Sequence, residues 1–267
     1  MSGARLSAYV DGVGLLAPGM TSWTDAVHVL CGEVPWVSAP TVLPAPQSLP
    51  AAERRRTGPS VKLTLATGLE ATRHAGVEPA LLPAVFTSSG GDGQNCHEIC
   101  AALATTERQI SPTRFHNSVH NAAAGYWGIA TGATPASTAL CAHDASFGAG
   151  LLEALTQVAA ERTAVLLLAY DSAYPEPING VRSIPDAFGV ALVLAPARGA
   201  ATLARIEAHL SDAAADSMPG ALEGLRRAIP AARSLPLLAR LAVPQGGAVV
   251  LDYLPHLRLA LTVTRCP

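Results

Sequence analysis

Charged side chains are scarce in this sequence of 267 residues. Asp, Glu, Lys and Arg make up 14% of it, where soluble domains usually have about a quarter, and the formal net charge is −2. Nucleic-acid binding needs a basic face, so this balance argues against a nucleic-acid partner. Because so little charge is available to cover the surface, we expect part of that surface to be buried against another subunit.

Long apolar runs are also missing. No segment reaches the roughly 18 uninterrupted apolar residues of a membrane span. The N-terminal apolar run is interrupted by Asp11 and lacks a small-residue cleavage site, which favours a first strand over a signal peptide. The five cysteines are odd in number and spread along the chain, which indicates reduced thiols in the cytoplasm rather than a disulfide framework.

Cys96 and Cys100 form the one cysteine pair with a spacing that suits metal binding, because C-x3-C places both sulfurs on one face of a helix. No second ligand pair stands at a usual zinc spacing. We therefore expect neither a metal ion nor a cofactor, and we interpret the pair as part of a packed helix over about residues 94–105.

The recognisable strands alternate with helices along the chain. Three of them are short apolar runs of the kind that is buried on both faces, at 84–87, 163–170 and 187–194. Residues 60–74 have the apolar spacing of a largely buried helix. This order predicts an α/β architecture, with a strand at 201–209 that begins a second half.

Polar residues suited to chemistry concentrate between residues 110 and 160. They are followed at once by a run of small residues, 145–155, which predicts a tightly packed helix. A polar cluster that leads into a helix N-terminus can present a reactive or anion-binding group. The candidates are His116, His120, Cys141, His143 and Asp144.

Cys141 is the candidate nucleophile of this cluster. A thiol becomes nucleophilic when a histidine or a helix N-terminus lowers its pKa, and His143 follows two residues later, on the same face of a strand. The predicted helix begins only near Asp144, which places Cys141 at the end of a strand, where an inert buried thiol is the commoner case. Both interpretations stay open.

Asp144 lies at the predicted turn from strand to helix. Aspartate is a favoured helix N-cap because its carboxylate accepts hydrogen bonds from the first free amides. Those amides and the helix dipole also stabilise its charge, which makes it a poor nucleophile toward thioesters. We therefore predict that Asp144 caps the helix.

His116 and His120 stand four residues apart, so on a helix they share one face and could bind a metal ion or relay protons. Asn117 and Asn121 beside them indicate a hydrogen-bonded loop or a helix start. Histidines at a subunit interface or in a satisfied polar pocket explain the pattern equally well.

A run of charge closes a proline-rich, irregular segment, where Glu53 is followed by Arg54, Arg55 and Arg56. Such a run is usually a solvated face. It can also contact an anionic partner, such as the phosphate of a carrier protein, and we keep both interpretations for these three arginines.

Several motifs together resemble the β-ketoacyl synthases of the thiolase superfamily, over about residues 5–208. Their order and spacing carry the resemblance, since no single motif is decisive. The motifs are the opening V-D-G-V-G-L-L-A-P that ends at Pro18, S-S-G-G from Ser88, S-P at Ser111, N-x-x-x-G from Asn121, the glycine Gly132, L-E-A from Leu152, and D-A-F-G-V-A-L-V-L from Asp186.

The resemblance also predicts where this chain departs from the active enzymes. In that family the nucleophilic cysteine follows the asparagine by 23 residues, and the same count from Asn121 leads to Asp144. The family's two histidine motifs, H-G-T-G-T and G-H, are missing, and His256 is the one histidine after Leu210. We therefore expect no catalytic residue, because condensation needs a nucleophile and oxyanion support.

The fold that the resemblance implies is a thiolase-like layered α/β sandwich. It has a complete N-terminal half, residues 1–208, and a shortened remnant of the C-terminal half, residues 209–267. The implied function is that of a chain-length factor, which pairs with an active β-ketoacyl synthase in type II polyketide or fatty-acid-like biosynthesis and works with an acyl carrier protein. The short length and the motifs F-H-N-S-V-H-N from Phe115 and D-A-S-F-x-A-G-L-L-E-A from Asp144 resemble the truncated ketosynthase-like subunits of bacterial aryl polyene and xanthomonadin-type pigment pathways. Interface or pocket candidates are His116, Asn117, His120, Asn121, His143 and Phe147.

Two other functions remain open. One is a stand-alone acyltransferase or thioesterase that uses Cys141 with His143 or His116. The other is a binding module for acyl carrier protein, with Arg54, Arg55 and Arg56 as the contact.

Overall fold

Strands and helices alternate through residues 5–266, the part of the chain that the computed structural model describes. The strands are β1 Leu6–Leu16, β2 Ala84–Thr87, β3 Ser137–Leu140, β4 Val165–Asp171, β5 Phe188–Ala195, β6 Ala204–Ser211, β7 Gly247–Leu254 and β8 Leu257–Arg265. The α-helices are α1 Trp23–Leu30, α2 Ala51–Arg54, α3 Pro59–Ala75, α4 Gly93–Leu103, α5 Pro112–His116, α6 Ala122–Thr131, α7 Ser146–Glu161, α8 Ile178–Val181, α9 Leu222–Ala228 and α10 Leu235–Ala242. Short 3₁₀ turns occur at Pro79–Leu81, His143–Ala145 and Pro230–Ser234.

All eight strands belong to one mixed sheet in the order β3-β2-β4-β5-β1-β6-β8-β7. β2 runs parallel to β3 and β4, and the other neighbours are antiparallel. The predicted α/β architecture is confirmed. β3 forms one edge of the sheet, so one row of its backbone groups has no neighbouring strand among the described residues.

Two hydrophobic cores lie on the opposite faces of this sheet. Alternate residues of β5 point into different cores: Leu192 packs with α7 residues such as Leu151, and Val193 packs with α3 residues such as Leu63. β2, β4 and β5 are buried along their whole length, as their continuous apolar sequences predict. The sheet is therefore covered on both sides, with the site-bearing helix α7 on one of them.

Helix α3 packs unusually close to β1. A Cβ atom on Gly14 would lie 2.0 Å from the Thr67 carbonyl oxygen, so only glycine permits this approach. The buried carboxylate of Glu70 then accepts hydrogen bonds from the backbone N–H groups of Leu15 and Trp23, both at 2.8 Å. This one side chain joins β1, α1 and α3.

The second half of the chain extends the same sheet. Strand β6 pairs with both β1 and β8, and the predicted boundary at residue 208 lies inside it. The division into 1–208 and 209–267 stays a prediction, and its outermost residues, 1–4 and 267, lie outside the described part. The sequence did not predict the turn Pro230–Ser234 or helix α10, because Pro230 and Pro236 interrupt the apolar pattern there.

Helix α4 corrects one expectation. The helix is present, but Cys96 and Cys100 are exposed on it rather than packed into a core. Gly93 and Asn95 are the buried residues of this helix, so α4 contacts the rest of the protein at its first turn.

Candidate functional site

The predicted turn from strand to helix, called the elbow from here on, comprises residues 141–145 between β3 and α7. The strand ends at Leu140, the 3₁₀ turn His143–Ala145 follows, and α7 begins at Ser146. Asp144 therefore stands at the turn from strand to helix, as the sequence predicts. Helix α7 then packs against one face of the sheet. Its residue Phe147 is buried in the core of this chain, so this interface candidate is not exposed for contact with a partner.

The capping role predicted for Asp144 is wrong. No side-chain cap bond is found for the turn or for α7, and Ser146 organises the elbow instead. Its Oγ accepts a hydrogen bond from the Ala142 N–H at 3.0 Å and donates one to the His143 carbonyl at 2.7 Å. Asp144 turns away because two arginines offer its carboxylate stronger, charge-assisted hydrogen bonds.

Each oxygen of the Asp144 carboxylate has its own arginine. Arg182 Nη2 donates to Oδ1 at 2.7 Å, and Arg233 Nη2 donates to Oδ2 at 3.1 Å. Partial burial alone raises the pKa of Asp144, but the Arg182 hydrogen bond and the charges of both arginines outweigh it and leave the pKa below its ordinary value. A carboxylate held in this way is a weak base and a weak nucleophile.

His143 belongs to the same ion-pair network. Its backbone φ is +53°, a conformation that few residues other than glycine adopt. The ring contacts the Arg182 guanidinium, and Nδ1 lies 3.5 Å from Asp144 Oδ1. His143 is therefore engaged with the network rather than with Cys141.

Cys141 is exposed, so the interpretation of a buried thiol is wrong. Strand β3 ends one residue earlier, at Leu140, which leaves the side chain outside the packed sheet. Its Sγ donates a hydrogen bond to the Ser89 carbonyl at 3.1 Å. Within residues 5–266, no hydrogen bond joins this thiol to a histidine.

His116 and His120 do not share a helical face, because α5 ends at His116. The His116 ring lies edge-on to the ring of Tyr126, with centroids 6.4 Å apart. His120 Nε2 is hydrogen-bonded to the Leu140 carbonyl at 3.0 Å, which connects this segment to β3. The two histidines therefore have separate structural partners.

The two asparagines beside them differ in role. The Asn117 amide donates to the Arg56 carbonyl at 2.8 Å, and its Oδ1 accepts from the Tyr126 hydroxyl at 3.2 Å. Asn121 is the residue before α6, without a side-chain cap bond. Asn117 thus links the arginine run to α6.

An apolar surface lies between α5 and α6, and His120 in the segment that joins these helices is hydrogen-bonded to the end of the edge strand β3. Phe115, Val119 and Ile129 are large apolar side chains with exposed fractions of 68%, 52% and 52%. They border a groove of about 510 Å³ between α5 and α6, whose wall includes His116 and Asn121. Single exposed apolar residues are common, but a cluster that lines a groove indicates a binding surface.

The arginine run lies at a second, polar cleft. Arg55 and Arg56 line a cleft of about 300 Å³ together with Arg114 and the start of α4. Arg54 contacts Gln47 instead, and Arg56 pairs with Glu53 at 3.2 Å. Two arginines of the run therefore face the cleft.

Sequence reasoning missed Arg182, Arg233 and Asp171. Asp171 ends the buried strand β4, and its carboxylate accepts four hydrogen bonds, from the Ser88 hydroxyl, the Ser89 hydroxyl and N–H, and the Ala231 N–H. Burial raises its pKa, and these hydrogen bonds offset part of that effect. The sequence offered a signal for Asp171, because its carboxylate comes directly after a wholly apolar strand. It offered no such signal for Arg182 and Arg233, which follow irregular segments.

Two negative findings concern the described residues. Residues 5–266 contain no group of three or more His, Cys, Asp or Glu side chains arranged to hold a metal ion. None of their helices combines the length and the hydropathy that crossing a membrane requires.

The chain is similar to a known protein family. A family model described as the N-terminal domain of β-ketoacyl synthase matches residues 32–241. None of the curated protein sequences matches this chain.

Solved structures give the same result. A chain of the ketosynthase (ApeO) in complex with its chain length factor (ApeC) from Xenorhabdus doucetiae aligns with a TM-score of 0.73 and 25% identity, over 96% of this chain and 99% of that one. A chain of the AntDE:AntF complex, a type II acyl-carrier protein with its ketosynthase, aligns with a TM-score of 0.72 and 10% identity, over 98% and 100%. The ishigamide ketosynthase/chain length factor gives 0.68 and 14%, over 98% and 100%.

The resemblance drawn from the sequence motifs is thereby confirmed. The motifs, the family match and the shared fold agree over most of the chain. The chain belongs to the β-ketoacyl synthase family and has the thiolase-like fold of the ketosynthases and of the chains in ketosynthase–chain length factor complexes.

Proposed function

We propose that this chain is a non-catalytic, chain-length-factor type subunit that pairs with an active β-ketoacyl synthase. The observation that carries the proposal is the ion pairing of Asp144 with Arg182 and Arg233 at the elbow. The resemblance aligns this position with the nucleophilic cysteine of the active enzymes. A carboxylate that is bonded through both oxygens cannot take that role.

The chemistry of condensation supports this view. Acyl transfer from a thioester needs an activated nucleophile and donors that stabilise the oxyanion. The elbow contains neither a thiol at the aligned position nor a histidine pair beside it, and Cys141 is hydrogen-bonded to a carbonyl. The condensing site is therefore expected on the partner chain.

The partner is expected to cover the edge strand β3 and the adjoining groove. An uncovered strand edge is a template for pairing with another chain. Phe115, Val119 and Ile129 supply an apolar surface beside it. The low charge of the whole sequence agrees with a chain that buries much surface in a stable dimer.

The finer assignment rests on the resemblance. We infer that the chain works in the cytoplasm, in an aryl polyene or xanthomonadin-type pathway, and that the groove between α5 and α6 helps to limit the length of the acyl product. Arg55 and Arg56, at the polar cleft, are the candidate contacts for an acyl carrier protein. Arg54 is a weaker candidate because Gln47 occupies its guanidinium.

Co-expression with an active β-ketoacyl synthase of the same organism tests the proposal. We expect a 1:1 complex in gel filtration and native mass spectrometry, with condensing activity that depends on the cysteine of the partner. Ile129→Asp should weaken the complex at least about tenfold, because it places a charge in an apolar interface. Leu210→Asp, a similarly exposed position on β6, is the matched control and should leave assembly unchanged.

Two results would contradict the proposal. One is a stable monomer that remains unassociated beside the synthase. The other is acyl-transfer activity of the isolated chain that is lost in Cys141→Ser, which would establish the stand-alone acyltransferase instead.

A further inference from the structure

Helix α4 carries two exposed cysteines, Cys96 and Cys100. Cysteine is among the residue types that are most often buried, so two exposed thiols on one helix call for an explanation. The buried residues of α4, Gly93 and Asn95, belong to its first turn, so neither thiol is held in a core. The packing of the fold therefore does not account for this pair.

The two thiols are direct neighbours. Cys96 and Cys100 lie four positions apart within Gly93–Leu103, which places them on one face of the helix with Cβ atoms about 5–6 Å apart. Partial desolvation raises the pKa of the Cys96 thiol, and the hydrogen-bonded Cys100 thiol raises it further. The repulsion between two thiolates opposes the loss of both protons unless a positive charge stands between them.

The other three cysteines have different partners. The thiols of Cys31, Cys141 and Cys266 each contact a backbone carbonyl oxygen. Among residues 5–266, neither Cys96 nor Cys100 donates to a backbone carbonyl, and each has the other as its neighbour instead. This pair is thus available for a shared ligand.

The spacing favours a bridging ion over a disulfide. A disulfide needs Cβ atoms about 3.5–4.5 Å apart, so closing one between these positions would distort the helix. Metal–sulfur bonds are about 2.3 Å long, so two thiolates on opposite sides of one ion stand roughly 4.6 Å apart. That separation fits the helical spacing of the two side chains without a change of backbone.

We propose that Cys96 and Cys100 bind one soft monovalent metal ion, Cu(I), between their sulfurs. Two thiolates are ligands that Cu(I) prefers. Zinc needs four ligands, and residues 5–266 contain no group of three or more His, Cys, Asp or Glu side chains arranged to hold a metal ion. Two copper–sulfur bonds form, both thiol protons pass to solvent, and neither copper nor sulfur changes oxidation state.

Competition with a chelator measures the binding. The reduced full chain is titrated, without oxygen, into the Cu(I) complex of bathocuproine disulfonate, whose absorption falls as copper moves to the protein. We expect one Cu(I) ion per chain, with two sulfur neighbours in X-ray absorption at the copper edge. Zn(II) is the metal control and should not stay with the chain through desalting, because two ligands leave its coordination incomplete.

The variants test the assignment of residues. Cys96→Ser and Cys100→Ser should each raise the Kd for Cu(I) by about a hundredfold or more, because a hard hydroxyl replaces one of two soft ligands. Cys141→Ser removes a single exposed thiol elsewhere in the chain and should leave the Kd unchanged. Circular dichroism of each variant confirms that the fold is retained, and the two serine variants give independent answers.

Three results would overturn the proposal: no transfer of copper from the chelator, an unchanged Kd in both Cys96→Ser and Cys100→Ser, or an equal loss in Cys141→Ser. The measurement uses this chain alone. Its outcome is therefore separate from that of the proposed pairing with a synthase.

Discussion

At the scale of the residue, Asp144 depends on its neighbours for its role. The sequence indicates a helix cap, because aspartate after a strand and before small residues is common there. In the fold, Arg182 and Arg233 approach from segments that lie 38 and 89 positions away in sequence. The charge-assisted hydrogen bonds to these arginines are stronger than the capping interaction. Partners so distant in sequence leave no signal in the local sequence pattern.

A pH-dependent contribution to stability follows from these ion pairs. The pKa of Asp144 in the folded chain lies below the ordinary value of 3.8. The pairing therefore stabilises the fold above about pH 4, and this contribution is lost as the pH falls through the folded-state pKa. We expect Asp144→Asn to lower the free energy of unfolding by about 1 kcal/mol at pH 7, since the site is partly exposed.

Urea denaturation of both proteins between pH 7 and pH 3 measures this difference. It should shrink toward the acid end of the range. Asp212→Asn, a substitution of an exposed carboxylate, is the control and should show little difference at any pH. A constant difference between wild type and Asp144→Asn across the range would contradict the ion-pair explanation.

At the scale of the element, α7 and α6 illustrate two uses of glycine. Gly150 lies where α7 meets β2, and an added Cβ atom would approach Thr87 Cγ2 to 2.5 Å. Gly125 lies on α6 at the groove beside β3, with nothing within 4 Å of the corresponding position. From the sequence alone, both residues are glycines in predicted helices, although only Gly150 is required for packing.

The two glycines therefore predict opposite effects on stability. Gly150→Ala should destabilise the isolated chain by about 1–3 kcal/mol through overpacking against Thr87. Gly125→Ala should stabilise it by about 0.5–1 kcal/mol, because alanine is the better helix former. Thermal and urea unfolding of the two variants give the measurement, and destabilisation by Gly125→Ala would show that its surroundings are not open.

At the scale of the whole molecule, the uneven placement of charge matters. The overall charge is near neutral, but Arg55, Arg56 and Arg114 face one polar cleft. Acidic carrier proteins are attracted by such local basic clusters, and the attraction weakens as salt is added. The cleft and the apolar groove beside β3 are separate surfaces, so carrier-protein binding and assembly can be tested independently.

Charge reversal provides this test. The double variant Arg55→Glu and Arg56→Glu should weaken binding of an acyl carrier protein to the assembled complex by about tenfold or more at low salt, with little effect on assembly. Arg227→Glu, on α9, is the control for a change of charge elsewhere. Surface plasmon resonance at two salt concentrations gives the affinities, and an unchanged affinity in the double variant would remove these arginines as the contact.

The sequence by itself determined the fold class and the family. Continuous apolar runs identify β2, β4 and β5 because strands that are buried on both faces have no polar side, and ordered motifs place Asp144 at the elbow. Helix α10 was not predicted, because prolines interrupt its apolar pattern. The helical face that His116 and His120 could share does not form, because α5 ends before His120.

Only the tertiary structure decided what the elbow contains. The exposure of Cys141 and the pairing of Asp144 with Arg182 and Arg233 both depend on segments that are remote in sequence. Local sequence patterns report backbone propensity and burial, which act over a few residues. Electrostatic partners are chosen by proximity in space, and that proximity exists only after the chain has folded.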